Sequence, residues 1–222
     1  MKKKLIKQKT EDKCKPYLIA ITGSFGTGKS VVGNILRKLK NCVVDTDDIV
    51  RAVLANRNKI TVKIVKEFGD EVLNNKKGKY INKTLLANIV FNNKLRRKKL
   101  ESIIHPEVEN KLKQFISKHC QKSVIFVLIP LLFECKLQKK YNETWCVICK
   151  ENIRLVRLLN KGYLISDIKK RIKAQLSQNV KAKKADFVID NSKTIEHTMK
   201  QVMHRLKLMA QLNRSSHLFS CK

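Results

Sequence analysis

Apolar residues fall along this chain in short clusters whose period alternates, and the alternation outlines the elements. Residues 17–21, Tyr-Leu-Ile-Ala-Ile, form a continuous apolar run of strand length. Residues 31–39 then place Val31, Val32, Ile35, Leu36 and Leu39 at helical spacing. A second strand is expected at 42–45, followed by a helix that begins near Asp47 and is capped by Thr46 or Asp45. Helical spacing recurs at 59–68, where Gly69 ends it, and again at 83–91 and 95–104. Pro106 is expected to open a new helix, carried over 107–119 by Val108, Leu112, Phe115 and Ile116.

The run at 123–129, closed by Pro130, suits a parallel strand buried on both faces, and 144–149 reads as another. Residues 152–159 and the basic stretch 166–176 read as helices, 187–190 as a last strand and 194–212 as a final amphipathic helix. Strands alternating with helices predict an α/β chain, with a parallel sheet covered by helices on both faces. Ligands are then expected at the carboxyl ends of the strands. No repeat or low-complexity block interrupts the pattern. With three prolines and seven glycines no linker stands out, so one compact unit is expected.

Residues 23–30 read Gly-Ser-Phe-Gly-Thr-Gly-Lys-Ser, which fits G-x-x-x-x-G-K-[ST], the loop that wraps the phosphates of a nucleoside triphosphate. Gly23 and Gly28 allow turns that a Cβ would obstruct. Successive N–H groups at the mouth of a helix form a nest for anions. Lys29 is suited to the β- and γ-phosphates, and the Ser30 hydroxyl to a Mg²⁺ shell. The order around it, strand then loop then helix, is the one this motif requires.

Charge widens the range of partners to consider. The chain carries 49 Lys+Arg against 18 Asp+Glu, a net charge of +31. This suits a nucleic-acid binder or an enzyme that attracts polyanionic substrates. The lysines are scattered rather than stacked on one face with aromatics, and Asn and Ile are plentiful too. That favours compositional bias with substrate steering, and no obligatory nucleic acid. The chain is 43% hydrophobic, and no apolar run approaches the ~20 residues of a membrane span. The opening Met-Lys-Lys-Lys is followed by polar residues, so it is read as a solvated tail rather than a signal peptide. Seven cysteines, an odd count at irregular spacing, suit reduced thiols in a cytoplasm. Cys146 and Cys149 match C-x-x-C, but they lie in a strand, where residues three apart face opposite ways.

Further motifs follow in series. Val43-Val44-Asp45-Thr46-Asp47-Asp48-Ile49-Val50-Arg51 comes after the phosphate loop. Then come Phe68-Gly69, Val90-Phe91, Leu100-Glu101-Ser102-Ile103-Ile104-His105-Pro106 and Pro130-Leu131-Leu132-Phe133-Glu134. Arg171-Ile172-Lys173-Ala174-Gln175 and Ala185-Asp186-Phe187-Val188-Ile189-Asp190-Asn191 complete the set. In this order, across roughly residues 18–191, the chain resembles the dephospho-CoA kinase family.

The resemblance implies a three-layer α/β/α P-loop NTPase with a parallel sheet, a helical acceptor lobe and a lid. It would be a single domain over 1–222, with core about 16–49, 120–150 and 182–213. The acceptor lobe would be about 50–119, the lid about 151–181, and the tails 1–15 and 214–222. The implied reaction is ATP-dependent phosphorylation of the ribose 3′-hydroxyl of dephospho-CoA, the last step of coenzyme A biosynthesis. ATP and Mg²⁺ would be required, the setting would be cytoplasmic, and the oligomeric state stays undetermined.

By the same resemblance, Asp47, Lys29 and Lys161 are expected to be catalytic. Gly23, Gly26, Thr27, Gly28, Lys29, Ser30, Val31, Arg157 and Asn191 would bind ATP, with Ser30 also on the metal. Asp45, Arg51, His105, Leu132, Phe133 and Gln175 would meet the acceptor. A sugar hydroxyl is a poor nucleophile, so a carboxylate beside it is needed to accept its proton. Plainer readings stand beside several of these. Asp45 and Asp47 also suit helix caps. Arg51 suits a surface pair with Asp47 or Asp48, and His105 a brace at a helix break. Leu132 and Phe133 suit core packing, and Asn191 a turn cap.

The chain departs from the family pattern at a few positions. Leu128 stands two residues before Pro130, where the family has aspartate. Lys161 stands for the second arginine of the lid's R-x-x-x-R, although Arg154 is one turn before Arg157. Lysine keeps the charge but lacks arginine's planar fork. Ala20 and Ser24 replace glycines, and Val31 replaces a hydroxyl residue. A divergent enzyme is the expectation. The alternatives are another P-loop nucleoside or nucleotide kinase, and an inactive basic P-loop protein that binds nucleic acid.

Overall fold

The computed structural model describes residues 15–216 apart from 56–57, 75–79 and 92. Five strands, β1 (Tyr17–Gly23), β2 (Cys42–Asp45), β3 (Val124–Leu128), β4 (Glu143–Ile148) and β5 (Phe187–Asp190), form one parallel sheet in the order β2-β3-β1-β4-β5. The helices are α1 (Lys29–Lys38), α2 (Thr46–Ala55), α3 (Lys59–Phe68), α4 (Lys83–Phe91), α5 (Lys94–Lys118), α6 (Glu151–Leu159), α7 (Ile165–Lys173), α8 (Gln178–Lys184) and α9 (Ile195–Ser216). Leu128 lies opposite both Ile21 and Asp45, so the carboxyl ends of β1, β2 and β3 lie side by side.

Strand alternation divides the core into two layers. Ile19, Ile21, Phe126, Leu128, Trp145, Val147 and Ile189 face α1 and α9, which contribute Val32, Ile35, Leu36, Val202 and Met209. Ala20, Val44, Ile125 and Val127 face the other way, against Leu112, Phe115 and Ile116 of α5. Glu143 ties the sheet to α9: its Oε1 accepts from Trp145 Nε1 at 2.5 Å and from Arg205 Nη2 at 2.7 Å. A third cluster is separate. Leu54, Ile64, Phe68, Val72, Ile81, Leu86, Val90 and Ile104 pack among α2 to α5. The entry to α3 is a capping box, with Asn58 Oδ1 accepting from Thr61 N at 3.0 Å and Thr61 Oγ1 accepting from Asn58 N at 2.8 Å.

The largest correction concerns Pro106. It does not open a helix; it lies inside α5. Proline in a helix interior costs about 3 kcal/mol through a lost hydrogen bond and a ring clash. Burying one large aliphatic side chain returns about 1.5–3 kcal/mol. Here Leu100, Ile103, Ile104 and Val108 pack on the helical cluster, and Leu112, Phe115 and Ile116 on the sheet. One continuous helix fastens both cores, and that outweighs the proline.

The basic helix expected at 166–176 stops at Lys173, and a separate α8 follows, with the Ser177 hydroxyl accepting from Val180 N at 3.3 Å. The last helix runs to Ser216, past the expected start of the tail. The lysine-rich opening read as a solvated tail, and residues 217–222, lie outside the described residues. Among the described residues no helix is long and apolar enough to cross a membrane.

Candidate active site

Because β1 ends at Gly23 and α1 begins at Lys29, residues 24–28 are the turn between them. Thr27 tightens it: its N–H and its hydroxyl both donate to Ser24 O, at 3.2 and 3.0 Å. Gly28 has φ +99°, and a Cβ there would collide with the Asn191 amide. Gly26 has φ +83°, and a Cβ would come within 2.6 Å of Leu158 Cδ1 of α6. Only glycine serves at both positions. No side chain caps the start of α1 and no acidic residue lies in its first turn, so its leading N–H groups face an anion-favouring field. Ser30 is exposed on that first turn and Val31 is half-buried behind it.

Lys29 reaches from this turn to the end of β2. Its ammonium lies 3.6 Å from Asp45 Oδ1 and 3.6 Å from Asp47 Oδ2. The side chain is 11% exposed, yet Nζ has no hydrogen-bond partner. A buried ammonium without a hydrogen bond is costly unless an acceptor completes it. Phosphate oxygens fit that need. Asp45 is buried and does cap α2, accepting from Asp47 N at 2.9 Å. The Asp47 side chain is 60% exposed, so its carboxylate stands open beside the lysine. Thr46 Oγ1 donates to Leu128 O at 2.9 Å, which fixes the start of α2 to the end of β3.

The other expected residues divide into groups. Arg51 is exposed and paired with Asp48. His105 is exposed on α5. Leu132 and Phe133 are buried in the core beneath β3, so they pack rather than line an open wall. Gln175 reaches the phosphate loop, where its Oε1 accepts from Phe25 N at 2.8 Å. Asn191 is 3% exposed, with Nδ2 donating to Thr27 O at 2.9 Å and Oδ1 accepting from Thr198 Oγ1 at 2.9 Å. Arg157 places its fork on the loop after β5, donating to Asn191 O at 2.6 Å and Lys193 O at 3.0 Å. Lys161 is exposed on the turn after α6, and Arg154 is buried beside Glu151 at 3.2 Å. Leu128 fills the space that the missing side chain of Gly33 leaves, since a Cβ there would approach its Cδ2 to 2.6 Å.

Sequence reasoning passed over a group that joins the loop to α7. Phe25 meets Tyr163 edge-on with ring centroids 5.2 Å apart, and the Arg171 guanidinium lies 5.1 Å from the Phe25 ring and 5.5 Å from that of Tyr163. Arg171 and Gln175 are four apart, and that spacing was the available signal that both address one partner. A second group lies behind the site. Lys181, wholly buried, donates to Pro130 O at 2.7 Å and lies 2.9 Å from Glu134 Oε1, which also accepts from Leu176 N at 2.9 Å.

Comparison with known proteins decides the family. The dephospho-CoA kinase family model matches residues 17–197. The chain belongs to the dephospho-CoA kinase family. A dephospho-CoA kinase of Carboxydothermus hydrogenoformans is 34% identical over 189 residues, 84% of this chain and 91% of that protein. One from Buchnera aphidicola is 36% identical over 182 residues, covering 81% of this chain and 85% of its own. Among solved structures, a Thermus thermophilus protein superposes with a TM-score of 0.78 at 27% identity, covering 87% of this chain and 97% of its own. The Campylobacter jejuni dephospho-CoA kinase shares the fold, with a TM-score of 0.58 at 24% identity and coverage of 86% and 96%. Ser24 adds a further tie to the loop, its hydroxyl donating to Leu176 O at 3.1 Å.

Proposed function

We propose that this chain transfers the γ-phosphoryl group of ATP to the ribose 3′-hydroxyl of dephospho-CoA, giving CoA and ADP. The carrying observation is the pairing at the sheet edge of a buried ammonium lacking a hydrogen bond, Lys29, with an open carboxylate, Asp47, 3.6 Å away. The backbone N–H groups of 26–30 hold the phosphates, and Lys29 neutralises charge as the phosphoryl group moves. Asp47 accepts the proton of the ribose hydroxyl as the new P–O bond forms. Asp45 keeps Asp47 and Lys29 in register through the cap it makes on α2.

A bound Mg²⁺ would supply positive charge to offset that of the ATP phosphates. The Ser30 hydroxyl, exposed at the head of α1, is the residue that would hold it. Among the described residues no group of three or more His, Cys, Asp or Glu forms a metal cage. Mg²⁺ commonly relies on few protein ligands plus substrate phosphates. We read the α2 to α5 cluster as the acceptor lobe and the α6 to α8 segment as the lid, with Lys161 and Arg157 supplying charge at its base. Closure excludes water, so the phosphoryl group passes to the sugar rather than to solvent. The odd cysteine count supports a reducing compartment, the cytoplasm.

The test is product analysis. Protein incubated with Mg·ATP and dephospho-CoA should yield a new ³¹P resonance for a 3′-phosphomonoester, matched one to one by ADP. ADP formed with inorganic phosphate in place of the ester would leave only an ATPase.

A further inference from the structure

Behind the phosphate loop, residues 130–136 follow β3 as a run of turns. Leu132 and Phe133, buried in the core, hold this run down, and Glu134 comes next in the chain. Lys181 of α8 spans it, donating to Pro130 O at 2.7 Å and lying 2.9 Å from Glu134 Oε1. Thr22 Oγ1, near the end of β1, donates to the same Pro130 carbonyl at 3.2 Å. Lys181 is wholly buried. Apolar side chains of similar volume would stabilise such a spot at least as well as a buried ion pair, so stability alone does not account for it.

What Glu134 fixes is the joint between α7, which ends at Lys173, and α8, which begins at Gln178. Its Oε1 also accepts from Leu176 N at 2.9 Å. Leu176 O in turn accepts from Ser24 Oγ at 3.1 Å, and Gln175 Oε1 accepts from Phe25 N at 2.8 Å. The joint therefore grips the phosphate loop by one side chain and one backbone N–H. Both grips fall just before Gly26 and Gly28, whose positive φ angles shape the turn. One carboxylate oxygen ties the core to the joint, and two residues of the joint tie it to the loop.

We propose that Glu134 is a positioning residue for phosphoryl transfer. It acts through Leu176 and Gln175, which hold the phosphate loop in its ATP-binding shape before ATP arrives, and Lys181 keeps its carboxylate turned to the joint. This rests on the reading of the chain as a dephospho-CoA kinase and adds a residue behind the site to those at it. A loop ordered in advance spends none of the ATP binding energy on ordering. A loop that is competent only part of the time weakens the apparent affinity by that fraction.

The test compares Glu134→Ala, Glu134→Gln, Gln175→Ala and the Glu134→Ala/Gln175→Ala double variant with the unaltered protein. ATP is titrated calorimetrically, and steady-state rates are measured with each substrate varied in turn. In Glu134→Ala the Leu176 N–H loses its acceptor. The ATP Kd and KM should rise about tenfold, the worth of one hydrogen bond to a charged group, while the dephospho-CoA KM stays within about twofold. Gln175→Ala should raise the same two constants. The double variant should lose less than the product of the two single losses, because both residues act through one joint. Glu134→Gln should keep nearly the unaltered ATP affinity: it retains an oxygen for Leu176 N and replaces only Oε2, which is buried without a hydrogen-bond partner. A merely structural role would instead lower kcat through a smaller folded fraction and leave both KM values unchanged. That result in Glu134→Ala, losses that simply multiply in the double variant, or an equal loss in Glu134→Gln and Glu134→Ala would overturn the proposal. Unaltered protein that binds ATP without phosphorylating dephospho-CoA would overturn the kinase reading, and the ATP Kd of the variants would still decide the role of Glu134.

Discussion

Lys181 holds its ammonium wholly out of water between Glu134 and the Pro130 carbonyl. Removing one partner of a buried ion pair leaves the other uncompensated, at about 3–5 kcal/mol. Lys181→Met should therefore lower stability by about that much in urea unfolding, and adding Glu134→Gln should restore part of it. A loss well under 1 kcal/mol would mean that water reaches Glu134. Asp190 gives a pH-dependent counterpart. Burial alone would raise its pKa, but the Ser192 hydroxyl and N–H donate to Oδ1, at 2.5 and 2.8 Å, and the net direction is down. A carboxylate held lower in the folded state stabilises it above the unfolded pKa of about 3.9, and that contribution fades as pH falls through the folded value. Stability should thus decline below about pH 4, and Asp190→Asn should be less sensitive there, as unfolding at paired pH values would show. The residue types at the site were legible in the sequence, but their partners were not. Asn191 and Gln175 look free to meet a ligand in the sequence, and only the packed loop shows both holding its backbone.

At the scale of elements, strands and most helices follow from period alone, because apolar positions at period two or 3.6 are where burial is gained. The failures arise where tertiary burial outvotes a local signal. Pro106 marks a boundary by every local rule, yet α5 continues because it must reach from the helical cluster to the sheet. Pro106→Ala restores one helical hydrogen bond at the cost of a looser unfolded chain. It should stabilise the protein by about 1–2 kcal/mol, read from the urea midpoint at constant m-value. A destabilised variant would show that the proline shapes a bend on which the two cores depend. The helix α8 itself was missed for a different reason: Ser177 is a sound cap signal, but it stands in a stretch without apolar periodicity. Phe25, Tyr163, Arg171 and Gln175 meet because the phosphate loop and the segment around α7, far apart in sequence, converge; the four-residue spacing of Arg171 and Gln175 pairs those two but does not name their partner.

For the molecule as a whole, the parallel sheet, its order and its two helical layers place the carboxyl ends of β1, β2 and β3 together, and the chemistry stands there. The charge of +31 acts at this scale as a field rather than through single contacts. Both substrates are anionic, so kcat/KM should fall severalfold as ionic strength rises from about 0.05 to 0.3 M while kcat changes little, because screening weakens encounter and not the bound chemistry. Initial rates over a salt series would show it, and a flat kcat/KM would confine the charge to composition. The most direct test of the central claim is ADP release from Mg·ATP by the purified protein, with dephospho-CoA or a nucleoside as acceptor, beside Asp47→Asn. The account predicts turnover with dephospho-CoA, little with the nucleoside, and a fall of about 10²- to 10⁴-fold in kcat for Asp47→Asn at unchanged ATP affinity. Equal turnover by the variant would contradict the role of Asp47 as base, and no acceptor-dependent turnover in the unaltered protein would contradict the kinase itself.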